Sequence, residues 1–202
     1  MSEIWESIYR NNQDMWGFRA TPSTLLVNDF FIEKGISNVL IPGFGYGRNA
    51  QIFIESGINV TGIEISKTAI EKAIKHYGSE TKVYHGSVVD MPFDDVQYEG
   101  IYCYALIHLL DLEERKKLIH NCYNQLAVNG YMVFVVVSKK SPNYRMGKFI
   151  SEDRYEVHQG LTLYFYDEKS IITEFGDFGL VEIREIQEDL HFYIVKCKKK
   201  EN

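Results

Sequence analysis

Apolar positions along this chain follow two alternating periods. Short runs at residues 39–41, 60–65, 82–85 and 98–104 are rich in Val, Ile and Tyr and read as strands, and the unbroken run 131–137 reads as a strand covered on both faces. Between them the apolar residues fall three and four apart, the spacing of one helix face. Ile4, Trp5, Ile8 and Tyr9 predict a short amphipathic helix over 2–12, and Ser23 is placed to cap a helix through Leu25, Leu26, Phe30 and Phe31 that ends at Gly35. Ala50, Ile52, Phe53 and Ile54 predict a helix ended by Gly57, and Ser66 a helix through Ala69, Ile70, Ala73 and Ile74 that stops at Gly78. Residues 112–126 carry Glu113 to Lys117 on one side and Leu118, Ile119, Cys122 and Leu126 on the other, a surface helix packed on a sheet. A last helix over 167–175 precedes a closing hairpin, 180–186 and 192–197. Strands alternating with helices predict βαβ units and a parallel sheet. Residues 138–160 are polar and irregular and read as a long loop leaving a strand end, a length that is usually functional in a compact domain.

Composition narrows the class. At 202 residues and 45% apolar, the chain fits one domain with a sizeable core. A net charge of -6 argues against a nucleic-acid partner, which would call for a basic face, and Lys198, Lys199 and Lys200 read as a solvated tail. Cys103, Cys122 and Cys197 are odd in number and lack metal-ligand spacing, so the expectation is a reducing, cytoplasmic setting and no metal. No signal-peptide pattern and no apolar run of membrane length is present, which predicts a soluble protein with no membrane partner.

The stretch 39–66 carries the chemistry. A strand stops at Pro42, three alternating glycines follow at Gly43, Gly45 and Gly47, then a helix and a second strand with Glu64 near its end. Ligands of such sheets bind outside the carboxyl ends of the strands. The dinucleotide fingerprint needs a small residue where Arg48 stands, while a carboxylate about twenty residues after the first glycine suits the two hydroxyls of an unphosphorylated ribose. Adenosine of either a dinucleotide or S-adenosylmethionine fits that carboxylate.

With its Gly-Arg-Asn-Ala continuation and the Gly-Ile-Glu-Ile-Ser strand end, this segment resembles motif I of class I S-adenosylmethionine-dependent methyltransferases, and is similar to their tellurite-resistance-type and thiopurine or thiol branches. Ile41 departs from the acidic residue most members carry there. The resemblance implies a Rossmann-like three-layer α/β sandwich with a seven-stranded, mostly parallel sheet over 36–202, an N-terminal helical cap over 1–35, and methyl transfer to a small molecule. Gly86 to Phe93 resembles the adenine-binding loop, with Ser87 where the common Asp sits. Tyr98 to Leu110 resembles the family's fourth-strand motif. The implied cofactor set is Gly43, Gly45, Gly47, Glu64, Ile65, Ser87, Val88, Asp90 and Cys103, with Tyr104 and His108 as catalytic candidates. Trp5, Tyr9, Trp16 and Arg19 are candidates for a lid, because an aromatic face attracts a sulfonium without attacking it. Arg145, Tyr155 and His158, on the 138–160 loop, are candidates for the acceptor side. Three other readings stand beside this one: a nicotinamide-dependent oxidoreductase, disfavoured by Arg48 and the absence of a Tyr-x-x-x-Lys pair; a non-catalytic S-adenosylmethionine-binding protein; and a methyltransferase of protein or nucleic acid, which would need an open, charged approach surface that this acidic chain does not advertise.

Overall fold

The computed structural model describes residues 2–11, 17–78, 81–158 and 160–201, with Ser2 and His158 described by backbone alone. The described residues form a seven-stranded sheet and a separate three-stranded one. In chain order the large sheet takes β1 (Asn38–Pro42), β2 (Asn59–Glu64), β3 (Lys82–His85), β4 (Tyr98–Tyr104), β5 (Leu126–Val137), β9 (Leu180–Gln187) and β10 (His191–Lys198), and the small one β6 (Lys148–Ser151), β7 (Arg154–His158) and β8 (Leu161–Tyr164). The large sheet runs β3-β2-β1-β4-β5-β10-β9. The pairs from β3 to β5 are parallel, and β10 pairs antiparallel with both β5 and β9. Strand order reverses between β1 and β4, and a crevice opens at such a switch point.

Side-chain alternation divides the core into two layers. Along β5, Met132, Phe134 and Val136 pack with Leu118, Ile119 and Cys122 of α5 (Leu112–Gln125) and Ile171 and Phe175 of α6 (Glu168–Phe175). Val133, Val135 and Val137 point the other way, to Val27 and Phe31 of α2 (Pro22–Glu33), Phe53 of α3 (Ala50–Glu55) and Ala73 of α4 (Lys67–Tyr77). All six of those β5 residues are fully buried, as the unbroken apolar run requires. The result is a three-layer, Rossmann-like α/β sandwich.

Three local expectations are corrected. Thr21, not Ser23, caps α2: its hydroxyl accepts from the Thr24 N–H, and Pro22 occupies the first turn, where its missing donor costs nothing. Leu25 and Leu26 of that helix are exposed, and its buried face is Ser23, Thr24, Val27, Asn28 and Phe31. α5 ends at Gln125, so Leu126 opens β5 instead of closing the helix. Finally, 138–160 is not an irregular loop, since β6 and β7 pair antiparallel within it and β8 completes their sheet. A buried ion pair ties that insertion to the body. The Arg115 guanidinium of α5 donates to Glu174 of α6 at 2.8 Å and lies 3.8 Å over the Tyr164 ring of β8.

The helix α1 (Ser2–Asn11) lies against α4 at the carboxyl edge of the sheet. The Glu6 carboxylate accepts from the hydroxyls of Ser66 at 2.7 Å and Thr68 at 2.5 Å, at the first turn of α4. Lys72 Nζ donates to the Tyr9 carbonyl at 2.6 Å, at the other end of α1. Both contacts match helix-end polarity, an anion at a helix start and a cation at a helix end.

Candidate active site

The turn after β1 is built by backbone conformation. Gly43 and Gly45 hold φ of 73° and 60°, the left-handed region that a Cβ disfavours. A Cβ on Gly43 would come within 3.0 Å of the Leu106 side chain, and one on Gly45 within 3.0 Å of Tyr9 Oη. The Glu64 carboxylate at the end of β2 accepts from the Gly45 N–H at 2.7 Å and from the Ser66 N–H at 2.9 Å. Burial pushes its carboxyl above the usual range, and those backbone donors oppose the shift. The carboxylate thus holds the glycine turn and the start of α4 in one geometry, with lone pairs left over for a ligand's hydroxyls.

A cavity of about 390 Å³ opens on this turn at the switch point, within the size range of small-molecule sites. One end is lined by Gly43, Gly45, Glu64, Ile65, Ser87 and Val88, with Trp5 and Tyr9 of α1 above it. The Ser87 hydroxyl accepts from the Val89 N–H at 3.4 Å and so also shapes the loop after β3. The other end is lined by Tyr104, Leu106, His108, Leu109, Leu161, Leu163 and Phe192, with Glu114 and Asp189 among the lining residues. Arg48 and Asn49 line the cavity as well, and Asn49 Oδ1 accepts from the Thr21 N–H at 3.2 Å.

The two catalytic candidates differ in what they can do. His108 sits in a 3-10 turn after β4, is buried, and its Nδ1 accepts from the Val137 N–H at 3.3 Å. Burial pushes its pKa down to about 3, so the imidazole stays neutral, with its proton on Nε2. With Nδ1 taken up by the Val137 N–H and the proton on Nε2, it is not a base. Tyr104 closes β4, and its hydroxyl donates to Glu188 Oε2 at 2.9 Å. Burial and the adjacent Glu188 carboxylate push the phenol well above its usual range, so it too stays neutral.

The structure brings ten of the expected residues to the cavity wall: Trp5, Tyr9, Gly43, Gly45, Glu64, Ile65, Ser87, Val88, Tyr104 and His108. Others stand elsewhere. Gly47 faces the Tyr77 and Phe44 rings behind the turn. Asp90 is exposed on a 3-10 turn, and the Cys103 side chain is fully buried in the core on the α5 face of the sheet, where burial raises its thiol. Arg19 is exposed and outside the cavity wall. Arg145 is exposed with its guanidinium over the Tyr144 ring, and Tyr155 packs on Tyr144, Phe149 and Phe165. His158 closes β7, and Trp16 lies outside the described residues. Sequence reading missed the leucines of β8 and the hairpin residues Asp189, Leu190 and Phe192, which reach the cavity only through tertiary packing. Among the described residues no cluster of three or more His, Cys, Asp or Glu is arranged to hold a metal, and no helix is long and apolar enough to cross a membrane.

Residues 40–134 match the family model described as a methyltransferase domain, the segment from β1 into β5. The chain is 32% identical over 90 residues to an O-methyltransferase of Aspergillus sclerotiorum, covering 42% of this chain and 33% of that one. It is 27% identical over 135 residues to thiocyanate methyltransferase 1 of Brassica oleracea, covering 64% of this chain and 59% of that one. The chain therefore spans between a third and three fifths of the length of these curated relatives. Among solved structures, the 1,6-didemethyltoxoflavin-N1-methyltransferase of Burkholderia thailandensis, with 1,6-didemethyltoxoflavin and S-adenosylhomocysteine bound, superposes with a TM-score of 0.78 at 16% identity, covering 99% of this chain and 87% of that one. The chain has the same fold as these methyltransferases, and its residues 40–134 match a methyltransferase-domain model.

Proposed function

We propose that this chain is an S-adenosylmethionine-dependent methyltransferase acting on a small-molecule acceptor. The observation that carries the proposal is the left-handed glycine turn bound to the buried Glu64 carboxylate at the mouth of a 390 Å³ cavity. The residues present fit the group. Side chains at Gly43 and Gly45 would fill the cradle, Glu64 is placed for ribose hydroxyls, and Ile65 and Val88 offer apolar walls for adenine. Trp5 and Tyr9 cover this end, and their rings suit a sulfonium. Bound S-adenosylmethionine supplies a methyl group already electrophilic on its sulfonium.

What the chain supplies is alignment and exclusion of water. Holding two reactants in line is worth roughly 7 to 11 kcal/mol in well-ordered systems, which is why no nucleophile or triad is needed. α1 closes one end of the cavity and the β9–β10 hairpin the other, through Asp189 and Leu190. Residues 1–35 act as a cap on the domain formed by 36–202. Kinship with the thiol-methyltransferase branch is supported by the Pro42-Gly43 turn and by the thiocyanate methyltransferase relative. The net charge of -6 and the three buried thiols favour a small-molecule partner in a reducing cytoplasm over nucleic acid. Incubation with methyl-labelled S-adenosylmethionine and a panel of phenols, thiols and amines tests the reading. Label in an organic product is the expected result. Tight binding of the donor with no transfer to any acceptor would instead mark a non-catalytic binding protein.

A further inference from the structure

We propose that Tyr104 and Glu188 form a proton relay that serves an apolar, hydroxyl-bearing acceptor. The proposal rests on the methyl-transfer reading and goes beyond it by naming the acceptor chemistry and the route of its proton. Tyr104 lies in the cavity wall, whereas the half-buried Glu188 sits behind it, outside the wall. Glu188 is fixed at both oxygens: Oε2 accepts from the Tyr104 hydroxyl at 2.9 Å, and Oε1 accepts from the Ser23 N–H at 2.6 Å in the first turn of α2.

The direction of the Tyr104 hydrogen bond decides what the cavity offers. A carboxylate only accepts, so the phenol proton is committed to Glu188, and the hydroxyl of Tyr104, a residue of the cavity wall, can only accept from a ligand that reaches it. Such an acceptor welcomes a group with a proton to give and repels a small anion. The nearby wall of Leu106, Leu109, Leu161, Leu163 and Phe192 favours an apolar body on the same molecule. A neutral hydroxyl is the acceptor that gains most from such a relay, because its oxygen is a poor nucleophile until the proton leaves. His108 does not compete for that proton, since its Nδ1 is occupied by the Val137 N–H.

The step balances. The acceptor oxygen forms the new O–C bond while the methyl C–S bond breaks and its electron pair stays on sulfur as a neutral thioether. The hydroxyl proton passes to Tyr104 Oη as the tyrosine's own proton passes to Glu188 Oε2. Tyr104 ends neutral and Glu188 ends protonated. Tyr104 touches the reacting group, and Glu188 acts through it.

The test compares the protein with its Glu188→Gln and Tyr104→Phe variants on a series of substituted phenols of graded acidity, using labelled S-adenosylmethionine. In Glu188→Gln the amide carbonyl still accepts from Ser23, while its NH2 turns the Tyr104 hydrogen bond around, so the fold keeps its anchor and the relay is lost. The expected loss in kcat/KM with unsubstituted phenol is about 100-fold, within the range of general-base catalysis, and only about threefold with the more acidic para-nitrophenol, which sheds its proton unaided. A second readout needs no turnover. With S-adenosylhomocysteine bound, the unaltered protein shifts para-nitrophenol toward its visible phenolate band, and Glu188→Gln does not. An equal loss across the whole series would reduce Glu188 to a helix cap and overturn the relay. Binding of S-adenosylhomocysteine without methylation of any phenol overturns the relay alone, whereas failure to bind it sinks the methyl-transfer reading as well.

Discussion

Replacing Glu6 by Gln isolates the contact that holds α1 over the cavity. The carboxylate accepts from Ser66 and Thr68 hydroxyls at 2.7 and 2.5 Å and from the Thr68 N–H at 3.4 Å, and these bonds, the Thr68 hydroxyl first, hold its pKa at about 2 against the usual 4.5. A shift of that size corresponds to at most ~3 kcal/mol by linkage. The side chain is 27% exposed, so solvent screening brings the net contribution to about 1–2 kcal/mol. Because the folded pKa lies below the unfolded one, this stabilisation is complete above pH 4.5 and drains away as pH falls toward 2. Glu6→Gln keeps the shape and removes the charge, so at neutral pH α1 opens about 5 to 30 times more often, by the same free energy. Amide hydrogen exchange of residues 2–11 reads this directly, with β5 amides as the internal standard. Faster exchange confined to α1 is the expected pattern. Unchanged α1 protection, or equal acceleration in β5, would refute the assignment of Glu6 as the latch.

Two further outcomes follow from buried ionisable groups. Glu174→Ala strands the Arg115 guanidinium, whose side chain is 4% exposed, and costs about 3–5 kcal/mol in urea unfolding; a loss below about 1 kcal/mol would contradict a buried, paired charge. His108 is held neutral down to about pH 3 while the unfolded chain protonates it near 6.5, so the folded state loses stability as pH falls below 6.5 and loses none above it. Wild-type protein should therefore lose about 1 kcal/mol more per pH unit than His108→Gln between pH 6 and 5, and parallel curves would show that His108 titrates normally.

How much of this was legible in the sequence depends on the range of the forces involved. The β1–turn–β2 unit was readable because glycine spacing and β-branched runs are local signals, and Glu64 followed from its distance to the first glycine. The cap of α2 was misread although a local signal existed: Pro22 occupies the first helical turn, which makes Thr21 the cap. The β6–β8 sheet was hidden because its strands are short and the first of them, Lys148 to Ser151, is exposed throughout, so its apolar residues do not alternate with a buried face. Glu188 reads as one acid in a polar hairpin turn, and only the fold brings it to Tyr104 and Ser23, 84 and 165 positions away in the chain. Likewise Asp90 and Cys103 sit at the right places along their strands and loops, but exposure of the first and core packing of the second keep both out of the cavity wall.

Central to the account is an adenosyl sulfonium compound held by the glycine turn and Glu64, and calorimetric titration with S-adenosylhomocysteine and with NADH tests it most directly. The account predicts saturable binding of S-adenosylhomocysteine, none of NADH, and a roughly 10- to 100-fold weaker affinity in Glu64→Gln, the loss of one charge-assisted hydrogen bond. Binding of NADH, or an affinity for S-adenosylhomocysteine that Glu64→Gln leaves unchanged, would contradict it.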